Sequence, residues 1–428
     1  MTRAGTATGG RAETTGIIPG RYALSVGFPQ MAAKPGFRWV KLSDLARLES
    51  GHTPSRTKAE YWDGGIPWIG IRDATANHGL TINATQQTIT EEGIENSSAR
   101  ILPAGTVCLS RTASVGYVVR MGVPMATSQD FVNWICGPGL SSEYLKYILM
   151  LEQDSVRRFS HGTTHQTMYY PEAKALHVCI PDRHVQDAIV GVLGALDDKI
   201  AANRKLASTA EDLAEAEFLR ATMESSVEHT LSDVTELIVR GGAPKYVDAG
   251  EGIVVINQKC IRDKRVDIGP ARWTSSSRVR DDRILRVNDV LVNSTGVGTL
   301  GRVSRWISKI DATVDSHVTI LRFCREIVDP VCAGFAVLHA QNAIEMMGEG
   351  STGQTELSRD QLGKLRLRFV SRSLESALSG RLSSLAEISS SSLAECSSLG
   401  ALRDTLLPRL MSGELRVRDA EKVVGNVL

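Results

Sequence analysis

Several signals of familiar chemistry are missing from this chain of 428 residues. Its seven cysteines (Cys108, Cys136, Cys179, Cys260, Cys324, Cys332 and Cys396) are scattered and form no CxxC pair. That excludes a zinc ribbon and a secreted disulfide framework, and fits reduced thiols in the cytoplasm. No apolar run approaches the ~20 residues that cross a bilayer, so no membrane partner is expected. The opening MTRAGTATGGRAETTG has no hydrophobic stretch after its arginine and reads as a flexible tail, not a signal peptide. Net charge is only +1, so bulk charge announces no nucleic-acid partner.

Charge is nevertheless segregated. From Lys259 to Lys309 twelve Lys and Arg stand against five Asp and Glu, whereas His184 to Glu224 carries eight acids and four bases. A basic module beside an acidic helix is compatible with phosphate binding on the first, and equally with a solvated surface.

What the sequence does contain is a repeat. GTTHQT at 162–167 and GSTGQT at 350–355 share a Gly-x-Thr-x-Gln-Thr frame 188 positions apart. The likeness spreads outward from both. LSDLARLESGHTPSR (42–56) matches LSDVTELIVRGGAPKY (231–246), and GIPWIGIRD (65–73) matches GIVVINQKC (252–260). LPAGTVCLSRTASVGYVVR (102–120) is answered by LRVNDVLVNSTGVGTLGRVSR (285–305), and SQDFVNWI (128–135) by DSHVTILR (315–322). ALHVCIP (175–181) is answered by KLRLRFV (364–370). So long a period means a duplicated domain; solenoid units run about 20–50 residues.

Each copy reads as α+β. Runs such as TVCLS, DVLVN and VTILRF are strand-like and punctuated by Gly, Asn, Asp and Pro. Residues 143–160 and 332–350 have helical spacing and end at the cassette, which is expected to be a loop between a helix and a strand. A longer helix follows each copy. Ile189, Leu193, Leu196, Ile200, Leu206, Ala210 and Leu213 recur at mostly three- and four-residue steps, as do Leu378, Leu382, Leu385, Ile388, Cys396, Leu399, Leu402, Leu406 and Leu410. So narrow a stripe predicts two helices paired as an antiparallel coiled coil. The boundaries expected are a tail at 1–36, a first domain at 37–182, a spacer helix at 183–226, a second domain at 227–370, a C-terminal helix at 371–418 and a tail at 419–428.

This layout resembles the specificity subunit of type I restriction-modification enzymes. The resemblance is carried by WVKLSDLARLESGHTPSR and TLSDVTELIVRGGAPKY, YWDGGIPWIGIRD, the two cassettes and the ending LRDTLLPRLMSGELRV at 402–417. It covers about residues 37–418. IPDRHVQDAIV and RFVSRSLESAL depart from the family by lacking its fuller proline-rich linker. The resemblance implies two tandem target recognition domains, each reading one half of a split site in double-stranded DNA. It implies helices that space those domains and dock two methyltransferase subunits, with motor-nuclease subunits joining for restriction. S-adenosylmethionine is expected on the methyltransferase partner and no cofactor on this chain. Some 40 residues of helix give about 60 Å, ample to hold two domains one DNA turn apart.

Residues common to two domains that read different halves are limited to sequence-neutral work. Thr163, Thr164, Gln166 and Thr167 in the first cassette, and Ser351, Thr352, Gln354 and Thr355 in the second, suit phosphate oxygens. The alternative is that they close the loop by bonding their own backbone. Base reading is expected where the copies differ: Arg111 and Thr112 against Asn293, Ser294 and Thr295, and His165 against Gly353. Arg grips guanine and Asn adenine bidentately, each pair being worth about 1–3 kcal/mol. Arg278, Arg280, Arg283 and Arg286 are candidates for DNA backbone contacts, and Trp62 and Trp68 read as core. GVGTLG (296–301) satisfies GxGxxG, but the stretch after it is strand-like, so a turn is expected there rather than a dinucleotide site. His161 and His165 flank a loop glycine with no accompanying acid, and no metal is expected. No methyltransferase or nuclease signature is found, so the chain itself is expected to be non-catalytic. Competing readings are a methylation-only or other phage-defence subunit, a nucleotide-dependent enzyme, and a protein-binding scaffold.

Overall fold

The computed structural model describes residues 14–161, 166–348 and 356–428. It divides into two compact units, one built from the chain up to Ala201 and from Cys396–Leu428, the other from Ala202–Glu395.

The strands of the first unit are β1 (Ile18–Pro19), β2 (Leu24–Val26), β3 (Phe37–Lys41), β4 (Ala46–Ser50), β5 (Trp62–Ile69), β6 (Thr81–Ile82), β7 (Gln87–Ile89), β8 (Val107–Ser110), β9 (Val118–Met121), β10 (Ala126–Thr127), β11 (Phe131–Cys136) and β12 (Leu176–Pro181). They form three sheets, ordered β1-β2-β12-β3, β10-β5-β7 and β4-β11-β8-β9-β6. The central strand β8 is buried on both faces, and its alternation decides which core each residue joins. Val107 and Leu109 pack with Tyr144 and Ile148 of the helix Ser142–Leu151, while Cys108 faces Val119, Met121 and Phe131.

The second unit carries β13 (Ser226–Thr230), β14 (Thr235–Arg240), β15 (Tyr246–Val247), β16 (Ile253–Ile256), β17 (Ile261–Arg262), β18 (Arg265–Val266), β19 (Arg272–Thr274), β20 (Val290–Asn293), β21 (Val303–Arg305), β22 (Ala312–Val314), β23 (Val318–Phe323) and β24 (Arg366–Val370). Its sheets β14-β23-β20-β21 and β13-β24 repeat the β4-β11-β8-β9 and β3-β12 pairings of the first unit, β15-β19-β16-β22 answers β10-β5-β7, and β17 and β18 form a further two-stranded pair. β16 and β22 are parallel, as β5 and β10 are. Val290 and Val292 face one core while Leu291 faces another, the same division as in β8. The duplication inferred from sequence is therefore a duplication of topology.

Four expectations need correction. Residues 18–26 are not a loose tail: β1 and β2 extend the β12–β3 sheet, with Leu24 and Val26 fully buried. The buried carboxylate of Glu152 accepts the backbone N–H groups of Arg21 (2.9 Å), Tyr22 (2.5 Å), Ala23 (2.6 Å) and Leu24 (3.2 Å), which fixes the turn into β2. At the other end, Val417–Gly425 is a helix that buries Ala420 and Val424, not a tail. Thirdly, the cassette segment leads not directly to a strand but to a short helix, Tyr170–Lys174 in one unit and Arg359–Lys364 in the other.

The fourth correction concerns the long helices, Arg183–Glu224 and Arg372–Met411. In the first unit Arg403 donates to Asp197 at 2.8 Å and the Cys396 thiol reaches the Ile200 carbonyl at 3.4 Å. In the second, Ser389 donates to Glu211 at 2.6 Å and Arg381 to Glu217 at 3.2 Å. Rising numbers on one helix meet falling numbers on the other, so the pairing is antiparallel. Leu206, Leu213 and Ile388, however, are exposed. The buried seam runs Ile189, Leu193, Leu196, Ile200, Asn203, Ala207, Ala210, Ala214, Phe218, Ala221, and on the other helix through Ser389 and Ser392. A 3.5-residue repeat keeps the seam in register, and small residues there let the helices approach while the neighbouring leucines stay outside.

Candidate nucleic-acid interface

In the first unit the carboxyl ends of β4, β5, β8 and β10 gather at one rim, tied by main-chain bonds. Ser128 N donates to Ile69 O (3.0 Å), His52 N to Thr127 O (2.8 Å), and Arg111 N to Asp130 O (2.8 Å). The segment leaving the cassette closes the rim: Met168 N donates to Arg111 O (2.8 Å), Ala113 N to Gln166 O (3.1 Å), and Thr112 pairs with Thr167.

The second unit repeats this. Asp315 N donates to Ile256 O (3.0 Å), Ser294 N to His317 O (2.8 Å) and Leu357 N to Ser294 O (2.9 Å), while Gly242 pairs with Asp315 and Thr295 with Glu356. Two matching glycines show why the frame is fixed. A Cβ on Gly51 would lie 2.1 Å from Ser128 O, and one on Gly241 would lie 2.1 Å from Val314 O. At the turn after the central strand, Ala113 and Gly296 both adopt positive φ, 60° and 108°.

The structure thus brings the predicted strand-end loop and the exit of the predicted cassette together in each unit. Arg111, Thr112, Gln166 and Thr167 all lie on this rim. Arg111 Nε donates to Gln129 O at 3.1 Å, and its guanidinium sits 5.0 Å from the Tyr170 ring centre. Burial raises the pKa of the Tyr170 phenol, opposed by the neighbouring Arg111 charge. Thr163, Thr164, His165, Ser351, Thr352, Gln354 and Thr355 lie outside the described residues.

Asn293 and Ser294 are corrected: both are fully buried. Asn293 Nδ2 donates to Gln258 O and Thr299 O, each at 3.1 Å, and the Ser294 hydroxyl lies 2.6 Å from that of Thr319. Ending a strand buried on both faces, they brace the loop from inside. Thr295 stays at the surface, its hydroxyl 2.6 Å from His317 Nδ1. Of the arginines expected on the DNA backbone, Arg280 is ion-paired with Asp282 and Arg286 with Glu236. Arg283 is half-buried, and the Arg278 side chain lies outside the described residues. Trp68 is core, whereas Trp62 is half-buried with Arg56 stacked 4.6 Å from its ring centre.

Arg72 and Lys259 are candidates that sequence reasoning misses. Both are exposed and follow matching strands, two residues after Gly70 and Asn257. Their signal lies in the aligned stretches GIPWIGIRD and GIVVINQKC, where the positive charge recurs while its neighbours change. His317 is missed too, although it stands opposite Asp130 in the aligned repeats.

GVGTLG joins antiparallel β20 and β21, with Gly296, Gly298 and Gly301 at positive φ, so it is a hairpin connection, as expected from the sequence. Among the described residues no cluster of His, Cys, Asp and Glu could hold a metal, and no helix is long and apolar enough to cross a membrane.

Comparison with known proteins agrees with this geometry. The model of the type I restriction modification DNA specificity domain matches residues 36–211. The type I restriction enzyme MjaIX specificity subunit of Methanocaldococcus jannaschii is 33% identical over 176 residues, 41% of this chain and 41% of the relative. The EcoR124I/EcoR124II specificity subunit of Escherichia coli is 25% identical over 167 residues, 37% of this chain and 40% of the relative. The aligned part therefore spans about two fifths of these relatives' length. The type I restriction-modification S subunit from M. genitalium shares the fold, with a TM-score of 0.60 at 15% identity over 89% of this chain and 98% of that one. Over residues 36–211 the chain is thus similar to the type I restriction modification DNA specificity domain.

Proposed function

We propose that this chain is the DNA sequence-recognition subunit of a type I restriction-modification complex, each unit reading one half of a bipartite, asymmetric site. The observation that carries the reading is the doubled rim: one main-chain frame, built twice, presents different side chains. A shared frame suits docking on the phosphate backbone, and unlike side chains suit unlike base sequences.

In this reading the chain is non-catalytic and binds no cofactor. Two methyltransferase subunits dock on it and supply S-adenosylmethionine for adenine methylation, and motor-nuclease subunits join for cleavage, all in the cytoplasm. Arg72 and Lys259 take phosphates, as do Gln166, Thr167 and the cassette residues Thr163, Thr164, Ser351, Thr352, Gln354 and Thr355. Arg111, Thr112 and His165 face base edges, and Thr295 stands on the second unit's rim beside His317. The long helices join the units, so one extra turn in both is expected to lengthen the tolerated gap by about one or two base pairs, at 1.5 Å per helical residue against ~3.4 Å per base pair.

The test is DNA binding by the complex of this chain with its methyltransferase subunits across a salt series. Counterion release predicts that log K falls steeply and linearly with log salt. Weak, salt-insensitive binding would favour a protein-binding scaffold instead.

A further inference from the structure

We infer that the two units read bases from opposite partners of one repeated backbone pair, through Arg111 in the first unit and through His317 in the second. The inference rests on the DNA-recognition reading above and adds the residue that performs it in each half.

Arg111 and Asp130 are joined by Arg111 N donating to Asp130 O, and Ser294 and His317 by Ser294 N donating to His317 O, both at 2.8 Å. In the first unit the outward group comes from the first member of the pair. Arg111 is held through Nε on the Gln129 carbonyl, with the Tyr170 ring centre 5.0 Å from its guanidinium. A guanidinium is the fork that bidentate grip on guanine O6 and N7 requires. Its partner Asp130 is turned back, accepting the Ser128 hydroxyl at 3.1 Å.

In the second unit the roles reverse. Ser294 is fully buried and its hydroxyl is spent on Thr319, so that position offers DNA nothing. The exposed member is His317. Its backbone N–H donates to Asp315 Oδ1 at 2.9 Å, and its Nδ1 lies 2.6 Å from the Thr295 hydroxyl. With Nδ1 engaged, Nε2 is the ring's one remaining hydrogen-bonding atom. If Thr295 donates, Nε2 carries the hydrogen and suits guanine N7 or O6; if Nδ1 donates, Nε2 accepts and suits the amino group of cytosine or adenine. Thr295 is accordingly a positioning residue. An ordinary surface histidine would not need a hydroxyl orienting its ring, nor would it stand exposed opposite the buried Ser294, where the first unit has Arg111.

The experiment maps methylated adenines in DNA modified by the complex carrying wild-type chain, Arg111→Ala, His317→Ala or Thr295→Val. Arg111→Ala is expected to relax one base position in one half of the motif, and His317→Ala one position in the other half, each losing roughly ten- to hundredfold in discrimination. Thr295→Val keeps the imidazole, guards against a folding defect, and is expected to relax the same position as His317→Ala. An unchanged motif with both His317→Ala and Thr295→Val, or changes from Arg111→Ala and His317→Ala falling in one half, would overturn the inference while leaving the recognition role intact. A wild-type complex with no split motif would remove the reading beneath it.

Discussion

Arg111 and Ser294 hold the same place in the two repeats and use their carbonyls identically, Arg111 O accepting from Met168 N at 2.8 Å and Ser294 O from Leu357 N at 2.9 Å. Their side chains share nothing: one reaches the surface against Tyr170, the other is buried against Thr319. In the proposed role, constant main chain with divergent side chains would let one fold read two sequences.

The shared charge of Arg72 and Lys259 gives the first prediction. Each group neutralises about one phosphate in the proposed role, so Arg72→Ala or Lys259→Ala should lower the magnitude of the salt slope of DNA binding by about 1, without altering the methylated motif. A slope unchanged in the double variant would remove both residues from the interface.

Glu152 supplies the second. Its carboxylate serves four N–H groups around the turn into β2. Glu152→Ala strands buried donors and should cost the first unit at least about 2 kcal/mol. Hydrogen exchange should then speed up at Tyr22, Ala23 and Leu24, while the amides of β20 and β23 keep their protection.

Asp315 makes stability depend on pH. Burial raises its pKa above the ordinary carboxylate value, against opposing effects of the His317 N–H and imidazole. The folded state therefore holds a proton that the unfolded chain has already lost, and stability falls as pH rises through the window above about pH 4. Asp315→Asn should flatten that fall in urea denaturation of the full chain, since an amide oxygen still accepts from His317 N.

The duplication, the strand-end loops and the helix pair are legible in the sequence, because these rest on period and pattern. Asn293 and Ser294 are not, because a polar residue ending a strand looks like a surface group until the sheet and loop above it are known. Leu206 and Leu213 read as seam residues, since leucine outweighs alanine in any hydrophobic pattern; the 3.5-residue repeat instead runs through Asn203, Ala207 and Ala214. Residues 18–26 pass for a tail because a three-residue strand has no periodicity of its own, and its anchor, Glu152, lies more than a hundred positions away.

The most direct test is to express this chain with its methyltransferase subunit in a host lacking adenine methylation and to sequence the modified DNA. Two unlike rims predict a split, asymmetric adenine motif that vanishes when this chain is omitted. The same motif methylated equally without it, or no modification despite a soluble complex, would contradict the account.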